Sequence, residues 1–395
     1  MALYAGQGLI AGLWIAIVVP TLQRQGVTLH DMIGTLAWGG LPWVLKAPAA
    51  PVIDRLCSAS SGARRRNVLL MLQLGLAGCF AFTDLSDTSR AGLFALSITW
   101  FSANVLMSLQ DVVTDAASID MVPRADQGSI RSLMLLSSTL GAGFFGAVGL
   151  SALARRFGES SIGPATALFF VCVGALLLLP GERWNRPLAP VKRRLHRQSV
   201  ALRPMVMTAA IWCGFAFALS LGNGMVSGVA GYYLLGTLAF PVERYQSELL
   251  PLVSAATLVT YLGLAATLDR LGARRCLLIG GLVTAGVWGG FAALGLSAAE
   301  DRILFSLAVT EALGLAAGLG ALHTLLMKEA PTALRATFFT LSMASINLGQ
   351  LVVGPLLADT LAPSLGFRGV FTLAAVIHVT AVSLVVRRKS SIHAP

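Results

Sequence analysis

The chain has 395 residues, of which 56% are hydrophobic and only 12% charged. A water-soluble domain carries about a quarter charged residues, so composition excludes a soluble enzyme or binding module. The net charge of +11 would suit nucleic acid, but the basic residues fall between apolar blocks rather than in one patch, which argues against that partner.

In chain order, the first apolar block is Leu3 to Leu22, "LYAGQGLIAGLWIAIVVPTL". A run of about 18 or more apolar residues predicts a membrane-spanning helix, because about 20 residues cross the hydrocarbon. No charged segment precedes the block and no cleavage-like site ends it, so it does not read as a signal peptide. Twelve such blocks follow one another, at 3–22, 31–51, 67–84, 91–115, 130–152, 163–180, 205–235, 247–267, 276–297, 302–326, 337–358 and 369–386. The fold class expected is an all-α membrane protein. In the long seventh block the glycines of "LGNGM", Leu221 to Met225, predict a break or bend. Between blocks six and seven lies the basic stretch "GERWNRPLAPVKRRLHRQ", Gly181 to Gln198. It divides the chain into a six-span bundle at 1–180, a linker at 181–204 and a second bundle at 205–395. The linker binds a partner or, the preferred reading, faces solvent and lipid phosphates on the cytoplasmic side.

With both termini cytoplasmic, the inner segments carry 21 Lys and Arg against seven in the outer loops, and Lys46 lies inside a span. That excess follows the positive-inside rule. Of the five cysteines, Cys79, Cys172, Cys213 and Cys276 sit in apolar blocks and read as small core residues. No metal-ligand spacing, phosphate-cradling "GxxxxGK[ST]" or catalytic triad is discernible, so no cofactor and no enzymatic activity are expected. "GAGFFG", Gly141 to Gly146, lies inside a span with no strand before it and reads as a close helix contact. Gly224/Gly228 and Gly314/Gly318 read likewise.

The halves repeat. "DRLCSASSGARR", Asp54 to Arg65, follows block two, and "DRLGARR", Asp269 to Arg275, follows block eight. Pro123, Leu133, Ser137, Gly141 and Gly146 match Pro331, Leu341, Ser345, Gly349 and Gly354 at a constant offset of 208. Repeated six-span halves mark a secondary transporter with substrate held between them.

Polar residues inside the blocks supply the candidate site. In "SLQDVVTDAASID", Ser108 to Asp120, the aspartates Asp111 and Asp115 extend a stripe begun by Asn104 and Ser108, at i, i+4, i+7 and i+11. These positions share one helix face, which must point into protein or a water-filled cavity. Lys46, eight residues before Asp54, reaches a similar depth and is expected to pair with Asp111 or Asp115. Such a pair either holds two spans together permanently or opens when a proton or substrate arrives. Glu311 lies about 13 Å into block ten at a rise of 1.5 Å per residue and is a candidate titrating group. At the 208 offset Asp111 and Asp115 correspond to Leu319 and His323, so the second half does not repeat the stripe. Arg131 has three readings: a pair with Asp126, a partner for a ligand carboxylate, or a topology charge.

"DRLGARR" and its longer counterpart resemble the signature of the major facilitator superfamily. The resemblance implies twelve transmembrane helices in two pseudo-symmetric six-helix bundles, alternating access and a functional monomer. It implies a cytoplasmic latch at Asp54, Arg55, Arg64, Asp269, Arg270 and Arg274, unless these residues only set topology. Spans 1, 4, 7 and 10 line the cavity in that superfamily, which makes Tyr4, Gln7, Asn104 and Glu311 substrate-site candidates. Ser108, on the Asn104 face, and Asn347 and Gln350 of span 11 complete the candidate set. Trp14 and Trp212 stack on an aromatic ligand or face lipid. "LPWVLKAPAAPVIDR" and "LQDVVTDAASIDMVPRADQG" resemble one branch, containing RhtX/FptX-type siderophore permeases, AmpG-type muropeptide permeases and acetyl-CoA transporters. This resemblance implies proton-coupled import of a siderophore or its iron complex across a bacterial cytoplasmic (inner) membrane. The alternative is muropeptide transport, or drug or metabolite efflux. Lys46, Asp111, Asp115 and Glu311 are the coupling candidates.

Overall fold

A computed structural model describes residues 1–58, 62–83, 90–121, 127–179, 202–294, 301–329 and 335–388. All regular structure among them is helical and makes twelve long helices. In the first half these are α1 (Ala2–Arg24), α2 (Leu29–Ser58), α3 (Gly62–Ala81), α4 (Arg90–Met121), α5 (127–157) and α6 (Ile162–Leu178). In the second they are α7 (202–237), α8 (242–271), α9 (Ala273–Leu294), α10 (Asp301–Glu329), α11 (335–365) and α12 (367–387).

Nine stretches among the described residues are long and apolar enough to cross a membrane, and the last, Phe338–Arg387, is α11 and α12 together. The helices α2 and α3 fall outside that set: α2 contains Lys46, and α3 opens on Arg64, Arg65 and Arg66. Large apolar side chains such as Met71, Phe94, Leu168 and Val259 point outward and are exposed. Such an apolar exterior fits lipid rather than water. An even number of helices brings both chain ends to one end of the bundle, called here the terminal end.

The two halves use the same helix pairings. α1 packs on α5, α2 on α4, α3 on α4 and on α6; correspondingly α7 packs on α11, α8 on α10, α9 on α10 and on α12. Two seams join the halves, α5 against α8 and α2 against α11. The matched glycines explain the closest pairings. A Cβ at Gly12 would collide with the carbonyl of Ala142, and one at Gly224 with the backbone of Gly349 and Gln350. Ala142 and Gln350 are 208 residues apart, so Gly12 and Gly224 occupy equivalent places. At this contact both receiving helices loosen into π turns, Gly141–Leu150 and Leu348–Val353.

One expectation from the sequence changes. The "LGNGM" stretch does not break the seventh helix: Leu202–Tyr232 is one continuous α-helix. Its glycines serve close approach to α11 and α12 instead, with Gly222 against the Ala374 carbonyl. The turn between α11 and α12 is a single corner at Gly366, whose φ of 64° and ψ of 172° suit glycine. Of the expected linker, residues 181–201 lie outside the described residues, as do Pro123, Asp126 and Pro331.

Candidate functional site

Four charged residues of the first half, Lys46, Asp111, Asp115 and Arg131, form a cluster near the terminal end, on α2, α4 and α5 with Tyr4 and Gln7 of α1. Lys46 Nζ donates to Asp111 Oδ2 at 2.6 Å, with the side chains 2% and 7% exposed. Tyr4 Oη, on α1, donates to Asp111 Oδ1 at 3.1 Å and also contacts Asp115 Oδ1. Gln7, one turn further along α1, donates to Asp111 Oδ1 at 3.2 Å. Arg131, at the start of α5, donates to Tyr4 Oη at 2.7 Å and to Asp115 Oδ1 at 3.1 Å. Among the described residues, Lys46, Gln7 and Tyr4 lie within hydrogen-bond reach of Asp111 and Arg131 and Tyr4 of Asp115, the one Tyr4 proton serving one carboxylate at a time. Two cations and two anions give the cluster no net charge, which is how a low-dielectric interior tolerates it. Behind it Gln73 donates to Gln110 Oε1, and Gln110 donates to the Leu3 carbonyl at 3.0 Å, bracing α1, α3 and α4.

The spacing of the stripe on α4 brings the two aspartates together, and the cation in α2 meets Asp111 rather than Asp115. Arg131 takes Asp115. Its membership follows from tertiary packing of α5 on α1, for which the sequence around it holds no signal. The other stripe residues are engaged inside the first half. Asn104 Oδ1 accepts from Trp43 Nε1 at 2.7 Å, and its amide donates to the Trp100 carbonyl at 2.8 Å. Ser108 donates to the Val105 carbonyl at 2.9 Å.

A separate cavity of about 360 Å³ lies between the halves. α1 and α2 contribute Trp14, Met32 and Leu36 to its wall; α7, α8 and α10 contribute Asn223, Tyr232, Tyr245, Tyr261, Glu311 and Leu319. Its size lies within the ~300–1,000 Å³ of sites for drug-sized ligands. Glu311 is the sequence candidate that lines this cavity; its Oε1 accepts from Trp288 Nε1 of α9 at 2.6 Å. Tyr4, Gln7, Asn104, Ser108, Asn347 and Gln350 do not line it. Asn347 instead reaches across the α2–α11 seam to the Trp43 carbonyl at 3.4 Å. Trp14 lines the cavity and packs against Trp100 with the rings tilted, 4.6 Å between centroids, whereas Trp212 is fully buried in the core of the second half. Neither faces lipid.

The cluster borders the second half directly. The Arg131 guanidinium sits over the Phe339 ring of α11 at 5.4 Å. Tyr261 and His323 lie within electrostatic range of Arg131, and His323 also within that of Asp111 and Lys46. His323 is 6% exposed and its Nδ1 has no hydrogen-bond partner.

The side chains of Asp54, Arg55 and Asp269 lie outside the described residues. Arg64 and Arg270 are exposed. Arg274 contacts the Arg388 carbonyl and donates to Glu329 Oε1 at 3.3 Å, tying α9 to α10 and α12 within its own half. At the opposite end, His30 of α2 meets Asp359 of α11 at 2.7 Å, and Gln23 donates to the Tyr232 carbonyl at 3.2 Å, so both contacts cross between halves. The charge and hydrogen bond of Asp359 raise the His30 pKa above its ordinary value. Among the described residues no group of three or more His, Cys, Asp and Glu gathers to hold a metal ion.

These features have parallels in known proteins. A sequence model of the Major Facilitator Superfamily matches residues 213–394. The anhydromuropeptide permease of Escherichia coli K12 is 26% identical over 367 residues, covering 88% of this chain and 71% of the permease. The crystal structure of a D-xylose–proton symporter superposes with a TM-score of 0.73 at 15% identity, over 98% of this chain and 96% of that one. The human organic anion transporter MFSD10 superposes with a TM-score of 0.71 at 13% identity, over 97% of each chain. Over nearly its whole length the chain therefore has the fold of the major facilitator transporters, two pseudo-symmetric bundles of six transmembrane helices.

Proposed function

We propose that this protein is a secondary transporter of the major facilitator superfamily, working by alternating access in a bacterial cytoplasmic membrane with both termini in the cytoplasm. The observation that carries this reading is the neutral four-charge cluster, buried in one half and facing the other beside a solute-sized cavity. Intramembrane charges are costly and persist where they serve transport. The cavity receives the substrate, with Glu311 on its wall. Lys46, Asp111, Asp115 and Glu311 are the coupling groups, exchanging a proton as the halves rock about the cavity. Asp54, Arg55, Arg64, Asp269, Arg270 and Arg274 act as a cytoplasmic latch whose ties change between states.

The substrate is a peptide-bearing sugar fragment of the anhydromuropeptide class, a reading supported by the 26% identical permease across most of this chain. A siderophore or its iron complex is the second reading, favoured by the "LPWVLKAPAAPVIDR" and "LQDVVTDAASIDMVPRADQG" motifs. Uptake of labelled anhydromuropeptide and of a labelled iron–siderophore into membrane vesicles, with and without a proton gradient, tests both. Accumulation of one probe that disappears when the gradient is collapsed is the expected result. Gradient-independent uptake removes proton coupling, and vesicles with and without the protein behaving alike for both probes removes the substrate reading.

A further inference from the structure

Glu311 stands apart from the other carboxylates. Asp111 has Lys46 and Asp115 has Arg131. Glu159, Asp301 and Glu329 pair with Arg24, Arg244 and Arg274. Among the described residues no cation pairs with Glu311. Its side chain has one hydrogen bond among them, from Trp288 Nε1 to Oε1 at 2.6 Å. Trp288 is fully buried and so fixes that oxygen, which leaves Oε2 for another donor.

The place of Glu311 on α10 says where that donor comes from. Ala308, Glu311, Ala312, Leu315 and Leu319 recur at three- and four-residue spacing, and all line the cavity of about 360 Å³ between the halves. They share one helix face, so the carboxylate belongs to the face turned toward the cavity. Its neighbours there, Ala308 and Ala312, are small and leave room beside it. Among the described lining residues Glu311 is the only Asp, Glu, Lys, Arg or His. Trp14, Tyr232, Tyr245 and Tyr261 bring aromatic rings to the same cavity, and much of the remaining wall is aliphatic.

An apolar, aromatic cavity with one carboxylate selects by charge. An ionised carboxylate without a cation is costly in the interior of a membrane bundle. A ligand ammonium removes that cost, and a ligand anion would add to it. Aromatic faces also attract cations. We propose that Glu311 is an amine subsite: the transported molecule presents a protonated amine that donates to Glu311 Oε2, and its body rests against the aromatic and aliphatic walls. The loaded cavity is then neutral. The inference rests on the transport reading and adds to it the charge class of the substrate. A proton and an ammonium compete for the same oxygen, so proton exchange at Glu311 and binding of the amine exclude each other.

Two measurements on the full-length protein test this. The first is thermal unfolding of purified protein with 4-phenylbutylamine or its neutral counterpart, 4-phenylbutanol. Ligands that bind the folded state raise the unfolding temperature. Wild type is expected to respond to the amine at a concentration at least tenfold lower than to the alcohol. Glu311→Gln is expected to respond to both alike, and Glu311→Asp to keep part of the preference. Ala312→Phe fills the space beside the carboxylate without touching its charge and is expected to lose the response to the amine. Equal responses to amine and alcohol in wild type overturn the subsite, as does a preference that survives in Glu311→Gln; should Glu311→Gln fail to fold, an undiminished amine response in Ala312→Phe overturns it. The second is proteoliposome uptake of labelled anhydromuropeptide and of the same molecule with its free amines acetylated. Wild type is expected to prefer the free amine at least tenfold in KM, and Glu311→Gln to lose that preference. Equal handling of the two forms by wild type overturns the subsite. If wild type takes up neither form, the substrate reading fails instead, and the unfolding measurement alone decides the amine subsite.

Discussion

The two halves share a fold and differ in chemistry at matching places. Positions equivalent to Tyr4, Lys46, Asp111, Asp115 and Arg131 are Ala216, Tyr261, Leu319, His323 and Phe339, by the Gly12–Gly224 contact, the paired "DRL" motifs and the 208 offset. The first set is a hydrogen-bonded charge network. The second is largely apolar: Ala216, Tyr261 and Phe339 belong to one core cluster, and Leu319 lines the cavity. Arg131 even stacks on its own counterpart, Phe339. Helix packing, set by small residues at close contacts, has been kept in both halves, while this charge network belongs to the first alone. The first half thus holds the charge network, while Tyr261, Glu311 and Leu319 of the second half line the cavity together with residues of α1 and α2.

Lys46→Met against Tyr261→Phe is the sharpest way to break this comparison. Lys46→Met leaves Asp111 buried without its cation and is expected to cost about 3–5 kcal/mol, and combining it with Asp111→Asn to recover much of that. Tyr261→Phe, its counterpart, should change stability by less than ~1 kcal/mol. Unfolding in mild detergent measures both; equal losses would mean the halves do not differ in this way. The shared packing is probed by Gly12→Leu and Gly224→Leu. Each overpacks a backbone contact and is expected to destabilise by roughly 1–3 kcal/mol or more, by similar amounts in the two halves. A loss confined to one would undo their equivalence. Tyr4→Phe removes the hydroxyl that bridges both aspartates and Arg131, and should cost ~1–3 kcal/mol because buried partners are left unpaired. Its counterpart position is already Ala216, so no comparable bridge exists there to lose.

The smallest effect lies at the end opposite the termini. Asp359 raises the His30 pKa, so the protonated pair contributes fully below the ordinary histidine value of ~6.5 and fades as pH rises through the raised value. Spin-label distances between α2 and α11 should therefore lengthen with rising pH, and His30→Gln should flatten the profile. A profile that His30→Gln leaves unaltered removes this pair from the closure of that end.

Helices and repeat were legible because they depend on hydropathy and on spacing along the chain. The pair formed by Lys46 and Asp111 was legible in outline, since depth along α2 and α4 places the two at one level. Which aspartate Lys46 chooses was not, because Arg131 competes for the other and reaches it only through the packing of α5 against α1. The role of Asn104 was hidden for a related reason: Trp43 and Trp100 use its amide inside the bundle, and a helical wheel cannot distinguish a polar group facing a cavity from one facing a neighbour. The glycines of "LGNGM" misled as a break signal because close helix contact calls for the same residue as a bend does.

The corner at Gly366 leaves no slack between α11 and α12. A swing of α11, which carries the seam to α2, is therefore expected to move α12 and with it Arg388, which touches Arg274. A fluorophore attached near residue 388 should thus register rearrangement at the α2–α11 seam without disturbing the charged cluster itself.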